Sequence, residues 1–269
     1  MKKQKGILIG ITLLLFVLGA FFFVWYTNPS VLPIAALQSV PETTSPYPAT
    51  SINLTNWKLT LPIGVPKHPT EIKQPKLATY KIDPWFLPTQ DGNGIRFRAP
   101  VTGVTTSGSK YPRSELREMT NSGTTNASWS STSGTHTMVL EQAIIAVPQK
   151  KQHVVAGQIH DATHDILVIR LEYPNLYVNV NGKNVSTLDS HYALGKRFTI
   201  KFVVNSGDTK VYYNNDTNPV YTLTQNYSGA YFKAGAYTQS NCIREGLPWA
   251  CNANNYGEVV IYGLSVTHQ

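Results

Sequence analysis

Apolar and polar residues alternate with a period of two along most of the chain after residue 50. A strand with one buried face produces this pattern, since successive side chains point to opposite sides of the backbone. No stretch beyond residue 50 keeps the longer apolar period of a helix. The alternation predicts strands at residues 57–61, 95–99, 113–118, 137–147, 154–160, 166–172, 176–180, 198–204, 210–213, 231–237 and 258–266.

Two hairpins are marked by their turns. The segment YVNVNGKNVS has Asn181-Gly182 at its centre, the pair that favours a type I′ turn. The segment FTIKFVVNSGDTKVYYN turns at Ser206-Gly207-Asp208, between two alternating runs. Eleven strands over about 220 residues predict an all-β fold of two packed antiparallel sheets, a jelly roll or a related sandwich.

The N-terminus has a different character. Lys2, Lys3 and Lys5 precede an uncharged stretch at residues 6–26. A helix of that length would span the hydrocarbon core of a bilayer, and it exceeds the usual apolar core of a cleaved signal peptide. For residues 1–27 a signal anchor is therefore favoured, and a cleaved signal peptide is the alternative. Residues 28–50 contain five prolines among Ser and Thr, which predicts a linker before a domain at 51–269.

Composition points outside the cytoplasm. Charged residues make up only 14% of the chain, while tyrosine occurs 15 times. Both features are typical of an extracellular β-protein, secreted or held at the membrane by its N-terminal segment. Without residues 1–27, 20 basic residues stand against 15 acidic ones, a net charge of +5. This excess favours a polyanionic partner, although the same lysines can simply aid solubility.

The two cysteines, Cys242 and Cys251, enclose eight residues. In an exported chain such a pair predicts one disulfide across a loop. A structural zinc site would need two more ligands, and the sequence contains no CxxC motif.

Three predicted strands carry an apolar side and an unusual polar side. Ile159 in the segment VVAGQIHDA points opposite to its two polar neighbours, and Phe232, Ala234 and Ala236 form an apolar side of their own. The polar sides hold groups that form hydrogen bonds and transfer protons. They comprise Arg113, Glu115 and Arg117; Gln158 and His160; and Tyr231, Lys233, Gly235, Tyr237 and Gln239. Three such strands side by side would form a polar, aromatic groove suited to a sugar chain.

These segments resemble the signature blocks of family 7 polysaccharide lyases, the alginate lyases. The resemblance lies in YPRSELREM, GQIH and YFKAGAYTQ, in this order, and includes NWKLTLP (56–62) and DGNGIRFRAPVTG (91–103). It implies a β-jelly roll with a cleft across its concave sheet. It also implies a monomeric enzyme that acts on alginate, an acidic polysaccharide, with no nucleic acid partner, no cofactor and no metal.

The resemblance also assigns roles to residues. It implies that four are catalytic: Arg113, Gln158, His160 and Tyr237. It implies that five others line the cleft and bind substrate: Glu115, Arg117, Tyr231, Lys233 and Gln239.

The residue types fit β-elimination on a uronate. The C5 hydrogen is weakly acidic because the adjacent carboxylate is already negative, so this carboxylate has to be neutralised. Arg113 and the Gln158 amide can do this through hydrogen bonds. The His160 imidazole can accept the C5 proton near neutral pH, and a phenol such as Tyr237 is protonated there and can donate to the departing O4. The product carries a 4,5-unsaturated uronate at its new end.

Two other functions fit less well. A glycoside hydrolase needs two opposed carboxylates, and the three strands supply only Glu115. A non-catalytic carbohydrate-binding module has no need for a Gln/His pair with a tyrosine.

His160 and His164 in HDATH have the spacing of a zinc-protease helix. They lie at a strand end, however, and Asp161 stands in place of the glutamate, so no metal site is predicted.

In the family, isoleucine in QIH accompanies activity on guluronate-containing chains, and the resemblance implies that preference here. Endolytic action is expected, and exolytic action is the open alternative.

Overall fold

The computed structural model describes residues 47–269, so the predictions for residues 1–27 and for most of the linker lie outside the described residues. Within this range the strands are β1 (Trp57–Val65), β2 (His68–Ile72), β3 (Phe86–Pro88), β4 (Ile95–Pro100), β5 (Arg113–Thr120), β6 (Thr125–Asn126), β7 (Thr135–Ala146), β8 (His153–His160), β9 (Asp165–Glu172), β10 (Asn175–Val180), β11 (Lys183–Asp189), β12 (Phe198–Asn205), β13 (Asp208–Tyr213), β14 (Tyr221–Thr224), β15 (Tyr231–Thr238) and β16 (Tyr256–His268).

Helical structure is short. The described range contains the α-helical turns α1 (Pro48–Ser51) and α2 (Cys242–Glu245), and 3₁₀ turns at Lys76–Thr79 and Pro248–Ala250. None of the helices between residues 47 and 269 has the length and apolarity needed to cross a membrane.

All eleven predicted strands are present, and most of their ends lie within two residues of the prediction. Five further strands, β2, β3, β6, β11 and β14, were not predicted individually. Four of these five form the outer edges of the two sheets. Edge strands bury less of either face, so their alternation of apolar and polar residues is weak.

The strands form two antiparallel sheets. The front sheet has the order β11-β10-β9-β8-β15-β5-β1-β2, and β6 pairs with β5 beside it. The back sheet has the order β14-β13-β12-β7-β16-β4-β3. Both predicted hairpins are confirmed: Asn181 and Gly182 have φ of 51° and 76°, and Ser206 and Gly207 have φ of 52° and 84°. Positive φ at both central residues is the mark of the type I′ turn.

The hydrophobic core lies between the two sheets. The front sheet contributes Leu116, Ile159 and Phe232, and the back sheet contributes Phe202 among others; all four side chains are fully buried. The Phe202 and Phe232 rings stack across the interface with centroids 6.4 Å apart. Because these residues occupy the inner face of the front sheet, their neighbours in sequence project from its outer face.

The predicted disulfide is also present. Cys242 and Cys251 are bonded, with Cα atoms 4.8 Å apart, and they close a loop that contains α2 and the last 3₁₀ turn. This loop follows β15 directly, so it begins where the strand with the YFKAGAYTQ segment ends.

Candidate active site

A cleft of about 510 Å³ crosses the outer face of the front sheet. It lies over β1, β5, β15 and β8, and residues 106–111 and 162–165 border it. Eight of the nine side chains predicted for the site line the cleft: Arg113, Arg117, Gln158, His160, Tyr231, Lys233, Tyr237 and Gln239. The ninth, Glu115, is fully buried beneath them.

Strand register brings the three signature segments together. Antiparallel pairing places Tyr237 of β15 opposite Arg113 of β5. It places Lys233 of β15 opposite Gln158 of β8. Residues directly opposite each other in such a pair have Cβ atoms about 5 Å apart, so their side chains meet on the shared face.

A bulge in β8 orients Gln158. Ala156 and Ile159 both belong to the core, although they are three residues apart and strict alternation would place them on opposite faces. The register between β8 and β9 slips between Val155 and Gln158, and Gly157 has φ of 104°. The extra residue of a bulge shifts the alternation by one position. Gln158 therefore faces the cleft while Ile159 remains in the core.

Glu115 connects three side chains of the cleft. Its Oε2 lies 2.5 Å from Lys233 Nζ and accepts a hydrogen bond of 3.1 Å from Arg113 Nη1. Its Oε1 accepts a hydrogen bond from Gln158 Nε2. An ionised carboxylate only accepts, so this contact fixes the orientation of the amide and leaves its second N–H free to donate.

Burial and charge shift the pKa values of this cluster. Burial alone would raise the pKa of Glu115, but the charges of Lys233 and Arg113 outweigh it and lower this pKa below its ordinary value. Burial, with the repulsion of Arg113, lowers the pKa of Lys233 to about 8, and Glu115 opposes this shift. At neutral pH the carboxylate is therefore ionised, and the Lys233 ammonium is much easier to deprotonate than that of an ordinary lysine.

His160 is held as a neutral base. Its Nδ1 lies 2.5 Å from the carbonyl oxygen of Asp161, and a carbonyl only accepts, so Nδ1 carries the proton and Nε2 keeps a lone pair. The Tyr231 ring stacks on the His160 imidazole, and the Tyr231 hydroxyl lies 3.1 Å from His160 Nδ1. Burial and then the charge of Lys233 lower the pKa of His160 below its ordinary value.

Tyr237 lies across the cleft floor next to Arg113. The Arg113 guanidinium lies 3.9 Å from the centre of the Tyr237 ring, and the phenol hydroxyl is 2.9 Å from Ser109 Oγ. The site therefore brings a cation, an amide donor, a neutral imidazole and a phenol to one cleft.

The remaining predicted residues extend this surface. The Arg117 guanidinium lies 3.8 Å from the centre of the Tyr231 ring and donates to the carbonyl oxygen of Glu118. Gln239 follows Tyr237 by two residues, and its backbone N–H donates to the carbonyl oxygen of His153 at 3.0 Å. The Arg117 and Gln239 side chains both line the cleft, on either side of the cluster formed by Arg113, Gln158, His160 and Tyr237.

The sequence analysis missed several lining residues, among them Ser109, Tyr111 and Lys58. Ser109 and Tyr111 come from the segment before β5, and Lys58 comes from β1 with an ion pair to Glu71 at 2.7 Å. Loop residues have no periodic pattern that reveals which side they face. Lys58 lies on an alternating strand, and its position opposite Arg117 follows from the pairing of β1 with β5.

Among residues 47–269, no group of three or more His, Cys, Asp or Glu side chains is arranged to hold a metal ion.

Comparison with known proteins gives consistent matches. A family model described as "Alginate lyase" matches residues 52–268. An alginate lyase of Klebsiella pneumoniae is 35% identical over 94 residues, which are 34% of this chain and 31% of that protein. The match therefore spans less than a third of the length of that relative.

Solved structures match over a larger part of the chain. The alginate lyase from Corynebacterium sp. is 50% identical with a TM-score of 0.80, over 84% of this chain and 100% of that one. AlgAT5 from polysaccharide lyase family 7 is 48% identical with a TM-score of 0.78, over the same shares. The family 7 alginate lyase A1-II′, crystallised in complex with product (GGG), is 26% identical with a TM-score of 0.68, over 84% and 100%. With its two antiparallel sheets in the jelly-roll arrangement of these structures, the chain belongs to polysaccharide lyase family 7, the alginate lyases.

Proposed function

We propose that this chain is an alginate lyase that breaks the 1,4-glycosidic bond by β-elimination. The observation that carries the proposal is the cluster in which Arg113 and Gln158 share the Glu115 carboxylate, facing the neutral His160 and the Tyr237 phenol. Elimination needs a uronate carboxylate to be neutralised, a base for C5 and an acid for O4, and each requirement has a candidate in the cluster.

Neutralisation of the substrate carboxylate falls to Arg113 and Gln158. Arg113 has one Nη engaged by Glu115 and keeps further N–H groups, and Gln158 keeps its second amide hydrogen. Glu115 offsets only one of the three cations Arg113, Arg117 and Lys233, so the cluster retains positive charge for an anionic sugar. Glu115 lies beneath the cleft lining, which supports a positioning role in place of direct contact with substrate.

The proton transfers fall to His160 and Tyr237. His160 Nε2 takes the C5 proton, the C5–H electron pair forms the C4–C5 double bond, and the C4–O4 bond breaks. Tyr237 gives its proton to the departing O4. Atoms and charge balance, because the proton lost from Tyr237 is restored from His160 or solvent before the next turnover.

We infer endolytic action from the extent of the cleft. Its lining reaches from Glu71 on β2 to Asp165 on β9, across six neighbouring strands. Neighbouring strands lie about 4.8 Å apart, so the cleft is about 24 Å wide, enough for several sugars of an internal segment.

We also propose a preference for guluronate-containing blocks. The support is the resemblance of the QIH segment and the complex of A1-II′ with product (GGG). Ile159 of QIH is fully buried in the core, so any influence on preference acts through the placement of Gln158 and His160 and not through contact with the sugar.

An extracellular location agrees with two observations. The family is typically extracellular, and the disulfide between Cys242 and Cys251 is the kind of bond that persists in oxidising compartments. We propose that the domain acts there; anchoring through residues 1–27 is a separate expectation.

Incubation with alginate tests the reaction directly. A lyase produces ultraviolet-absorbing unsaturated ends in step with new reducing ends. Reducing ends without absorbance would identify a hydrolase, and neither signal would identify a binding module. Product sizes from separate poly-guluronate and poly-mannuronate digests decide the cleavage mode and the block preference.

A further inference from the structure

We propose that a ridge outside the cleft forms an additional subsite for the alginate chain, beyond the bond that is cleaved. We name it the outer ridge; it consists of Tyr111, Lys150, Lys151, Arg244 and Trp249. The inference rests on the proposed alginate lyase function and names a binding surface that lies outside the signature segments, apart from Tyr111 at its inner end.

The outer ridge begins at the wall of the cleft. Tyr111 lines the cleft, and its ring stands edge-on to the ring of Tyr237 with centroids 6.4 Å apart. Lys151 Nζ donates to the Tyr111 hydroxyl at 3.1 Å. Burial would raise the pKa of Tyr111, but Lys151 and Arg244 outweigh it and lower this pKa, so both cations act on the cleft wall.

The outer ridge continues to an exposed indole. Trp249 is 62% exposed, and the Lys150 ammonium lies 5.7 Å from the centre of its ring. A polyuronate presents a carboxylate on every sugar and an apolar face of C–H groups on its rings. Cations beside an open aromatic face match both features.

The outer ridge is held rigid by a buried carboxylate. Glu245 lies on the disulfide loop and accepts hydrogen bonds from the backbone N–H groups of Lys150 and Lys151, at 2.9 and 3.2 Å. It also accepts from Ser240 Oγ at 2.5 Å and Asn255 Nδ2 at 2.8 Å. These bonds join the disulfide loop to the segment before β8. Ordering of this backbone therefore costs little when a ligand binds.

Binding is tested with the full chain in native gels that contain alginate. All proteins carry Tyr237→Phe, so that the polymer stays intact. Trp249→Ala and Arg244→Ala are expected to raise the apparent Kd for alginate about three- to tenfold. Ile243→Ala is the matched control, because Ile243 is 88% exposed on the same loop and is neither aromatic nor charged. Trp249→Phe should recover part of the loss.

Kinetics with Tyr237 intact give the second readout. Trp249→Ala is expected to raise KM on polymeric alginate by a similar factor, with kcat unchanged and with no effect on the shortest oligosaccharide that is cleaved. If Trp249→Ala and Arg244→Ala have the same Kd and the same KM as the control Ile243→Ala, the outer ridge is not a subsite. Absence of ultraviolet-absorbing product from the wild-type chain would instead refute the lyase function, while the gel comparison would still decide whether the outer ridge binds the polymer.

Discussion

Lys233 Nζ, in the lining of the cleft, lies 2.5 Å from Glu115 Oε2 beneath it, and both side chains are at least nine-tenths buried. Glu115 offsets the Lys233 charge and holds Arg113 and Gln158 by hydrogen bonds. A buried pair of this kind adds little net stability over an apolar pair, but removal of one partner leaves the other charge buried without compensation. The Lys233–Glu115 pair instead fixes the positions of Arg113 and Gln158 in the cleft.

Glu115→Gln should therefore destabilise the domain by about 3–5 kcal/mol, because the buried cations lose their counter-charge. Urea unfolding measures the change. Glu71→Gln is the control: Glu71 pairs with Lys58 at the surface, and we expect a loss below about 1 kcal/mol. Similar losses for the two variants would contradict the central role of Glu115.

Tyr237→Phe should lower kcat by at least about 100-fold and leave alginate affinity nearly unchanged, because the variant loses the proposed proton donor and keeps the ring under Arg113. Steady-state rates by ultraviolet absorbance and retardation in alginate gels measure the two effects. Tyr262→Phe, on β16 of the back sheet, should behave as the unmodified chain. A Tyr237→Phe variant with near-normal rates would rule out the phenol as the acid.

The pH profile of kcat/KM should have two limbs. On the acid side activity rises as His160 loses its proton, and since burial and Lys233 lower its pKa, this limb lies below the ordinary histidine value of about 6.5. On the alkaline side activity falls as Lys233, with its pKa lowered to about 8, loses the charge that holds Glu115.

Lys233→Arg separates the two limbs. A guanidinium stays protonated at every relevant pH, so the alkaline fall near pH 8 should move to higher pH while the acid limb stays in place. An unchanged alkaline limb in a folded, active variant would assign that limb to another group.

Gly157→Ala should displace Gln158 and His160. At this φ of 104° an added Cβ would also meet Leu140 Cδ2 at 2.9 Å. We expect a stability loss of more than about 1 kcal/mol and a clear fall in kcat. Gly195→Ala isolates the backbone effect, since its φ is 87° but a Cβ there meets nothing within 4 Å. A normal kcat for Gly157→Ala would contradict the proposed roles of Gln158 and His160 as groups that the bulge positions.

The sequence alone determined which residues share a face. Strand alternation separates Phe232 and Ala234 from Lys233 and Tyr237, because the side-chain period of a strand is fixed by its backbone geometry. The short spacing of Cys242 and Cys251 similarly predicted their bond. These features are local, so local patterns suffice to predict them.

Only the tertiary structure decided how the faces combine. The bulge at Gly157 changes the alternation that a regular β8 would have. Pairing across β5, β15 and β8 places Glu115 beneath Arg113, Gln158 and Lys233, which lie 2, 43 and 118 residues away in sequence. Lys151 lies 4.9 Å from the centre of the Tyr111 ring and Lys150 lies 5.7 Å from the centre of the Trp249 ring, and Glu245 accepts hydrogen bonds from the backbone of both lysines; no periodic signal records these contacts. Burial and charge at such meeting points depend on residues distant in sequence, and for that reason the fold and not the pattern sets the chemistry of the cleft.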